Sequence, residues 1–97
     1  PTMGPPHYVY IMTDEDHAVL YTGKTGDHRR RAGEHRAGRG SGFTRRTNAR
    51  KLVYYETLDD ARAATTREKR IKAGTRQAKL DLIEGLNPEW RDLYEGL

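Results

Sequence analysis

Two short segments near the N-terminus are rich in the β-branched and aromatic residues that favour strands. They are residues 7–13 (HYVYIMT) and 18–24 (AVLYTGK), and the polar residues 14–17 separate them. The pattern predicts an antiparallel β-hairpin with a four-residue loop. With that loop, Tyr10 faces Tyr21 across the two strands, on one side of the sheet.

A helix and a third strand are predicted next. Asp27 is a suitable N-cap for a helix from residue 28 to about residue 37. Residues 38–50 (GRGSGFTRRTNAR) are basic and rich in glycine, so they predict mostly loop, with a helical turn near residues 44–48. Residues 51–56 (KLVYYE) predict the third strand.

The second half of the chain carries helix signals. Thr57 and Asp60 form a T-x-x-D start signal for a helix over about residues 59–73, and Gly74 follows its end. A further helix is predicted over about residues 76–84.

A last helix is predicted from Asn87 and Pro88, which suit the N-cap and the first helical position. Apolar residues follow at helical spacing: Trp90, Leu93, Tyr94 and Leu97. The order of elements is therefore ββαβααα. It predicts an α/β (α+β) fold in which a small, three-stranded, mostly antiparallel sheet is flanked by helices.

Length and composition restrict the class of protein. A chain of 97 residues predicts one domain over residues 7–97, preceded by a flexible tail over residues 1–6. The absence of cysteine excludes a disulfide framework and a cysteine metal site. No segment is apolar enough to span a bilayer, which predicts no membrane partner and suits a cytoplasmic protein. We expect a monomer.

The charge is concentrated in one segment. Residues 24–51 hold ten Lys or Arg and only two acidic residues, whereas the rest of the chain is net acidic. Such polarity is typical of a surface that binds a polyanion, and it favours nucleic acid. The alternative is a solvated, arginine-rich loop.

Two tyrosines and one helix are candidates for chemistry. Tyr10 and Tyr21 are either an aromatic pair in the core or reactive groups, and Gly23 leaves room for a ligand beside them. The first helix has no large apolar residue, and it carries His28, Arg31 and His35 on one face. It either offers a guanidinium and imidazoles to a phosphate or is an ordinary exposed helix.

Glu68 lies where a carboxylate is unusual. At 100° per residue it falls in the middle of the small and apolar stripe of its helix. That stripe comprises Ala61, Ala64, Thr65 and Ile71. A carboxylate directed at the interior needs a partner. The sequence leaves open whether this partner is a metal ion or an arginine such as Arg31.

The order and spacing of these residues resemble the GIY-YIG nuclease family. Residues 8–10 (YVY) and 21–23 (YTG) resemble its two-part signature, and Lys24 follows as it often does there. Arg31 stands ten residues after Tyr21, where the family has its catalytic arginine. His35 and Glu68 match its histidine and its metal-binding glutamate.

The resemblance extends over about residues 7–93 and is closest to a small, single-domain bacterial branch. Further matching segments are residues 42–44 (GFT), 52–56 (LVYYE), 82–84 (LIE) and 87–93 (NPEWRDL).

The resemblance implies an endonuclease that hydrolyses DNA phosphodiester bonds with one Mg²⁺ or Mn²⁺ ion on Glu68. It implies that Tyr10 activates or orients the attacking water, and we expect Lys24, Arg31 and the metal ion to favour its phenolate. Tyr21 would position the phosphate and Arg31 would stabilise charge on it. His35 and Lys24 would assist.

The basic residues that we expect to contact nucleic acid come with one aromatic residue for stacking. They are Arg29, Arg30, Arg36, Arg39, Phe43, Arg45, Arg46 and Lys72. Selectivity for DNA structure, such as ends, flaps or branches, and a role in DNA repair or processing are expected. RNA is the alternative substrate, and a non-catalytic nucleic-acid-binding module of the same fold is the alternative function.

Overall fold

A three-stranded antiparallel sheet forms the centre of the fold. The computed structural model describes residues 6–40 and 42–97, except for the side chains of Phe43 and Thr44. Strand β1 (His7–Thr13) lies between β2 (Leu20–Thr25) and β3 (Lys51–Leu58). The predicted tail falls on residues 1–6, of which residues 1–5 lie outside the described part of the chain.

Four α-helices and one 3-10 helix surround the sheet. They are α1 (His28–Arg36), α2 (Gly42–Thr47), α3 (Ala61–Ala73), α4 (Arg76–Leu86) and the 3-10 helix Leu93–Gly96. The predicted caps are present, since the carboxylates of Asp27 and Asp60 accept hydrogen bonds from backbone N–H groups in the first turns of α1 and α3. The predicted α+β architecture is confirmed. Within the described residues, every helix is too short or too polar to cross a membrane.

The two faces of the sheet have separate cores. Tyr10 and Met12 of the central strand pack with Ala32 of α1 on one face. Val9, on the other face, packs with residues of α3, and Ile11 packs there with Ile83 of α4. The alternation of β1 therefore determines which helix each of its side chains meets.

The predicted hairpin register is wrong by two residues. Tyr10 is opposite Gly23, and Tyr21 is opposite Met12. The loop has six residues instead of four, because the Asp14 carboxylate accepts hydrogen bonds from two backbone N–H groups near its far end. A shift of two keeps both tyrosines on one face, where they are diagonal neighbours with ring centroids 6.4 Å apart.

The predicted last helix is present as a 3-10 helix, but it begins at Leu93 instead of next to Asn87. Trp90 has a left-handed backbone with φ 55°, and only the short 3-10 helix follows. Asn87 is buried, and its side-chain amide donates to the carbonyls of Val53 and Arg91. Asn87 therefore fixes an irregular turn against β3 instead of starting a helix. Trp90 lies in the core beside Ile83.

Candidate active site

Tyr10 lies across the backbone of Gly23. It is 3% exposed, and a Cβ atom added at Gly23 would lie 2.5 Å from Cζ of Tyr10. Real Cβ atoms essentially never approach so closely. The glycine of the second sequence motif therefore provides the space that the tyrosine of the first motif occupies.

His35 joins α1 to this tyrosine. Its Nε2 lies 3.0 Å from the hydroxyl of Tyr10, and the histidine is 1% exposed. The Tyr21 ring is also near, with its centroid 5.7 Å from that of His35. Two strands and one helix thus bring together three of the residues that the sequence singled out.

Burial keeps both partners of this hydrogen bond neutral. Desolvation, assisted by the charge of Arg31, lowers the pKa of His35 to about 4. Desolvation also raises the pKa of Tyr10 to about 12, although Arg31 acts in the opposite direction. Burial therefore outweighs the effect of Arg31 on the pKa of Tyr10, and the protonated phenol is favoured. In the tautomer that carries its proton on Nδ1, a neutral His35 accepts a hydrogen bond at Nε2 from the hydroxyl of Tyr10.

Arg31 connects the tyrosine to the polar face of α1. Its Nη1 donates to Oε1 of Glu34 at 2.9 Å, and this bond is the largest cause of the raised pKa of Arg31. A hydrogen bond to Tyr10 is the second cause. The sequence analysis left open an ion pair between Arg31 and Glu68. The carboxylate that Arg31 meets here is Glu34, one turn along the same helix.

Glu68 is directed inward from α3. Its side chain is 15% exposed, and its Oε2 lies 3.3 Å from Nζ of Lys72. Its charge contributes to the raised pKa of Tyr10, which places it within electrostatic range of the tyrosine. The predicted inward direction of Glu68 thus agrees with its burial.

A single carboxylate is a suitable donor set for one hard cation. Among the residues that the structure describes, no three His, Asp or Glu side chains form a group that holds a metal ion unaided. Mg²⁺ needs only one or two protein carboxylates, because waters and substrate phosphate oxygens complete its octahedron. Mn²⁺ prefers the same oxygen ligands. Glu68 therefore fits one such ion, provided that a phosphate shares it.

The remaining residues of the predicted site are mostly exposed basic side chains. Lys24 is exposed and pairs with Val9, so strand alternation directs it to the face opposite Tyr10. Arg39, Arg45 and Arg46 are exposed. Arg30 is exposed as well but forms ion pairs within α1. The predicted stacking side chain of Phe43 lies outside the described part of the structure.

Two of the predicted nucleic-acid contacts have an intramolecular role. Arg29 donates to the carbonyl oxygen of Leu97 at 2.6 Å, and Arg36 donates to Glu95 at 2.8 Å. The guanidinium carbons of both arginines lie over the ring of Tyr94, 5.6 and 4.8 Å from its centroid. Both side chains therefore hold the C-terminal turn against α1.

An aromatic cluster beside Tyr10 was missed by the sequence analysis. The rings of Tyr8 and His28 are stacked with centroids 3.8 Å apart, and His28 meets the edge of Tyr55. Tyr55 is opposite Tyr10 in the sheet. The period of two between Tyr8 and Tyr10 was a signal for a shared face, but the partner strand could not be known before the register was fixed.

Comparisons with known proteins support the family resemblance and the fold. A model of the GIY-YIG catalytic domain matches residues 6–81. A UPF0213 protein from Haloquadratum walsbyi is 46% identical over 78 residues, covering 80% of this chain and 86% of that protein. A UPF0213 protein from Staphylococcus haemolyticus is 41% identical over 78 residues, covering 80% and 94%. The solution NMR structure of a UPF0213 protein from Bacillus halodurans has a TM-score of 0.57 at 30% identity, covering 90% of this chain and 92% of that one.

We predict that His35 makes the fold sensitive to acid. Its pKa is about 4 in the fold against an ordinary 6.5, so the unfolded chain binds a proton first as the pH falls. The resulting stability is present above pH 6.5 and is lost between there and pH 4, by up to about 3 kcal/mol. Urea unfolding at several pH values measures it, and His35→Gln removes this part of the slope. Parallel pH profiles for the two proteins would contradict the prediction.

We predict that Gly23→Ala displaces Tyr10. The added methyl group meets a buried ring, so we expect a loss of about 1–3 kcal/mol and a changed NMR signal of the His35 imidazole. Gly85→Ala is the control, because nothing lies within 4 Å of its added Cβ. That helical substitution should be neutral or stabilising by up to about 1 kcal/mol. Equal melting temperatures for the two variants would show that Tyr10 adapts freely.

Proposed function

The chain belongs to the GIY-YIG family, and on that premise we propose that it is a divalent-metal-dependent endonuclease that hydrolyses DNA phosphodiester bonds. The family is one of nucleases, which act on nucleic acid and generally use a divalent metal ion. The observation that carries the proposal is the buried hydrogen bond between Tyr10 and His35, with Arg31 and Glu68 in electrostatic range of the same hydroxyl. Residues 7–97 form the single nuclease domain.

In this mechanism Tyr10 and His35 relay a proton. The oxygen of Tyr10 accepts a proton from the attacking water as the water adds to the phosphorus atom. The bond between phosphorus and the leaving sugar oxygen breaks in the same displacement, and solvent water supplies the proton that the leaving oxygen takes up. The tyrosine passes its own proton to Nε2 of His35, 3.0 Å away. The relay needs a neutral histidine before reaction, and the low pKa of His35 supplies one at neutral pH. Tyr21, on the same face, orients the phosphate.

The negative charge of the phosphate is offset by Arg31 and by the metal ion that Glu68 would hold. Arg31 donates to the non-bridging oxygens from its place between Glu34 and Tyr10. Glu68 would hold one Mg²⁺ or Mn²⁺ ion, which when bound neutralises charge on the scissile phosphate. Lys72 neutralises the same carboxylate in its absence, at 3.3 Å. Because Glu68 is largely buried, its charge acts more strongly than it would in water.

The surrounding basic surface supports binding to the nucleic-acid backbone. Arg30, Arg39, Arg45 and Arg46 are exposed and suit phosphate contacts, which position a protein but read little sequence. We therefore propose selectivity for DNA structure, such as ends, flaps or branches, in repair or processing within the cytoplasm. Lys24, on the opposite face, would contact the strand beyond the reacting phosphate. The enzyme would act as a monomer.

One set of assays tests this function. The protein is incubated with single-stranded, duplex, flapped and branched DNA, and with an RNA of the same sequence, with and without Mn²⁺. We expect metal-dependent cleavage of the structured DNA substrates. Glu68→Gln should lower the rate by about 100-fold or more, because charge neutralisation by a metal ion contributes several kcal/mol.

The same set contains its control. Glu84→Gln changes an exposed glutamate of α4 and should cut as the wild type does. The melting temperature of Glu68→Gln should hold or rise, because its partner Lys72 is half exposed and an exposed ion pair stabilises little. DNA binding by the wild type without cleavage of any substrate would favour the non-catalytic module instead.

A second variant isolates the hydroxyl of Tyr10. Tyr10→Phe retains the ring in the core and removes the proton relay, so cleavage should fall by about 100-fold or more. Tyr54→Phe is a matched control, since Tyr54 is also buried, also has a pKa raised to about 12, and donates to Glu56 on the other face of the sheet. Equal rates for the two variants would reduce Tyr10 to a core residue.

A further inference from the structure

A groove lies at the open edge of the sheet, beside β2. It has a volume of about 330 Å³ and is lined by Leu20, Tyr21, Thr22, Lys72 and Lys79. Strand β2 forms one wall, and the end of α3 and the start of α4 form the other. Within the described structure, its lining contains two ammonium groups and no carboxylate. The groove is therefore chemically suited to an anion.

The two lysines differ in their surroundings. Lys72 is 52% exposed and forms an ion pair with Glu68. Lys79 is half-buried on α4, and in the described part of the chain it has no ion-pair partner. The nearby Asp81 accepts a hydrogen bond from Gln77. Lys79 is thus a positive charge directed at a groove without its own counter-ion.

Thr22 supplies an independent indication of a ligand. It is 3% exposed, and within the described residues its hydroxyl oxygen has no hydrogen-bond partner. A buried hydroxyl without a partner costs about 1–3 kcal/mol. The residue with this unfavourable unpaired hydroxyl is one that lines the basic groove. A hydrogen bond from this hydroxyl to a ligand oxygen in the groove would offset the cost.

The groove is continuous with the proposed active centre. Tyr21 belongs to both, and Lys72 links the groove to Glu68 one turn away. We propose that the groove binds a backbone phosphate of the nucleic acid that neighbours the one being cleaved. Lys72 and Lys79 are its charged donors and Thr22 is its hydroxyl donor. The assignment rests on the proposed function for the identity of the polyanion.

Binding measurements without metal test the groove independently of cleavage. A single-stranded DNA oligonucleotide is titrated at several salt concentrations. Lys79→Gln should weaken binding by about tenfold, as expected for one charge-assisted hydrogen bond. It should also reduce the slope of log K against log salt by about one. Lys69→Gln is the matched control, because Lys69 is exposed on α3 and does not line the groove.

Two more variants distinguish the loss of a phosphate-binding group from a loss of stability. Thr22→Val should weaken DNA binding by about threefold while its melting temperature holds or rises, since an unpaired hydroxyl is removed. Lys79→Arg retains the charge and should bind as the wild type does. Inorganic phosphate should shift the NMR signal of the Thr22 amide in the wild type and leave it unmoved in Lys79→Gln.

Several results would overturn the assignment. They are equal losses for Lys79→Gln and Lys69→Gln, wild-type binding by Thr22→Val, and a phosphate response that survives Lys79→Gln. The two proposals remain distinguishable. A protein that shows the expected binding pattern but cuts no substrate disproves the nuclease and retains the groove. A protein that cuts DNA while Lys79→Gln binds normally disproves the groove alone.

Discussion

The contact between Tyr10 and Gly23 is the constraint on which the site depends. The central strand places a tyrosine ring over the backbone of its neighbour, and only a residue without a side chain leaves enough room. The ring position then determines where the hydroxyl lies, and His35 of α1 meets it there. One close approach of strand to strand thus sets the distance between the sheet and α1.

Burial gives this centre its electrostatic character. The same desolvation that favours the phenol over the phenolate also favours the neutral imidazole over the imidazolium. The hydrogen bond between them therefore joins two neutral groups, while Arg31 and Glu68 carry the charges at its margin. A preorganised pair of this kind needs little rearrangement when charge develops nearby.

Much of this arrangement follows from the sequence because it depends on short-range rules. The order of elements, the caps at Asp27 and Asp60, and the inward direction of Glu68 each follow from a local period or signal. The hairpin register did not, since it depends on hydrogen bonds of the Asp14 side chain within its own loop. The C-terminal turn did not either, because Asn87 is bound to β3, which lies far away in sequence.

The same long-range dependence explains why the sequence does not show the intramolecular contacts of Arg29 and Arg36. A basic run predicts a polyanion as its partner, whereas the intramolecular partners of these two arginines are residues 97 and 95, far from α1 in sequence. Helix α1 buries Ala32 and His35 against the sheet, and it also contacts the C-terminal turn, where both arginines lie over the ring of Tyr94. During synthesis on the ribosome, residues 92–97 emerge after α1. A nascent chain that stops before residue 92 is therefore without these contacts to the helix that carries Arg31 and His35.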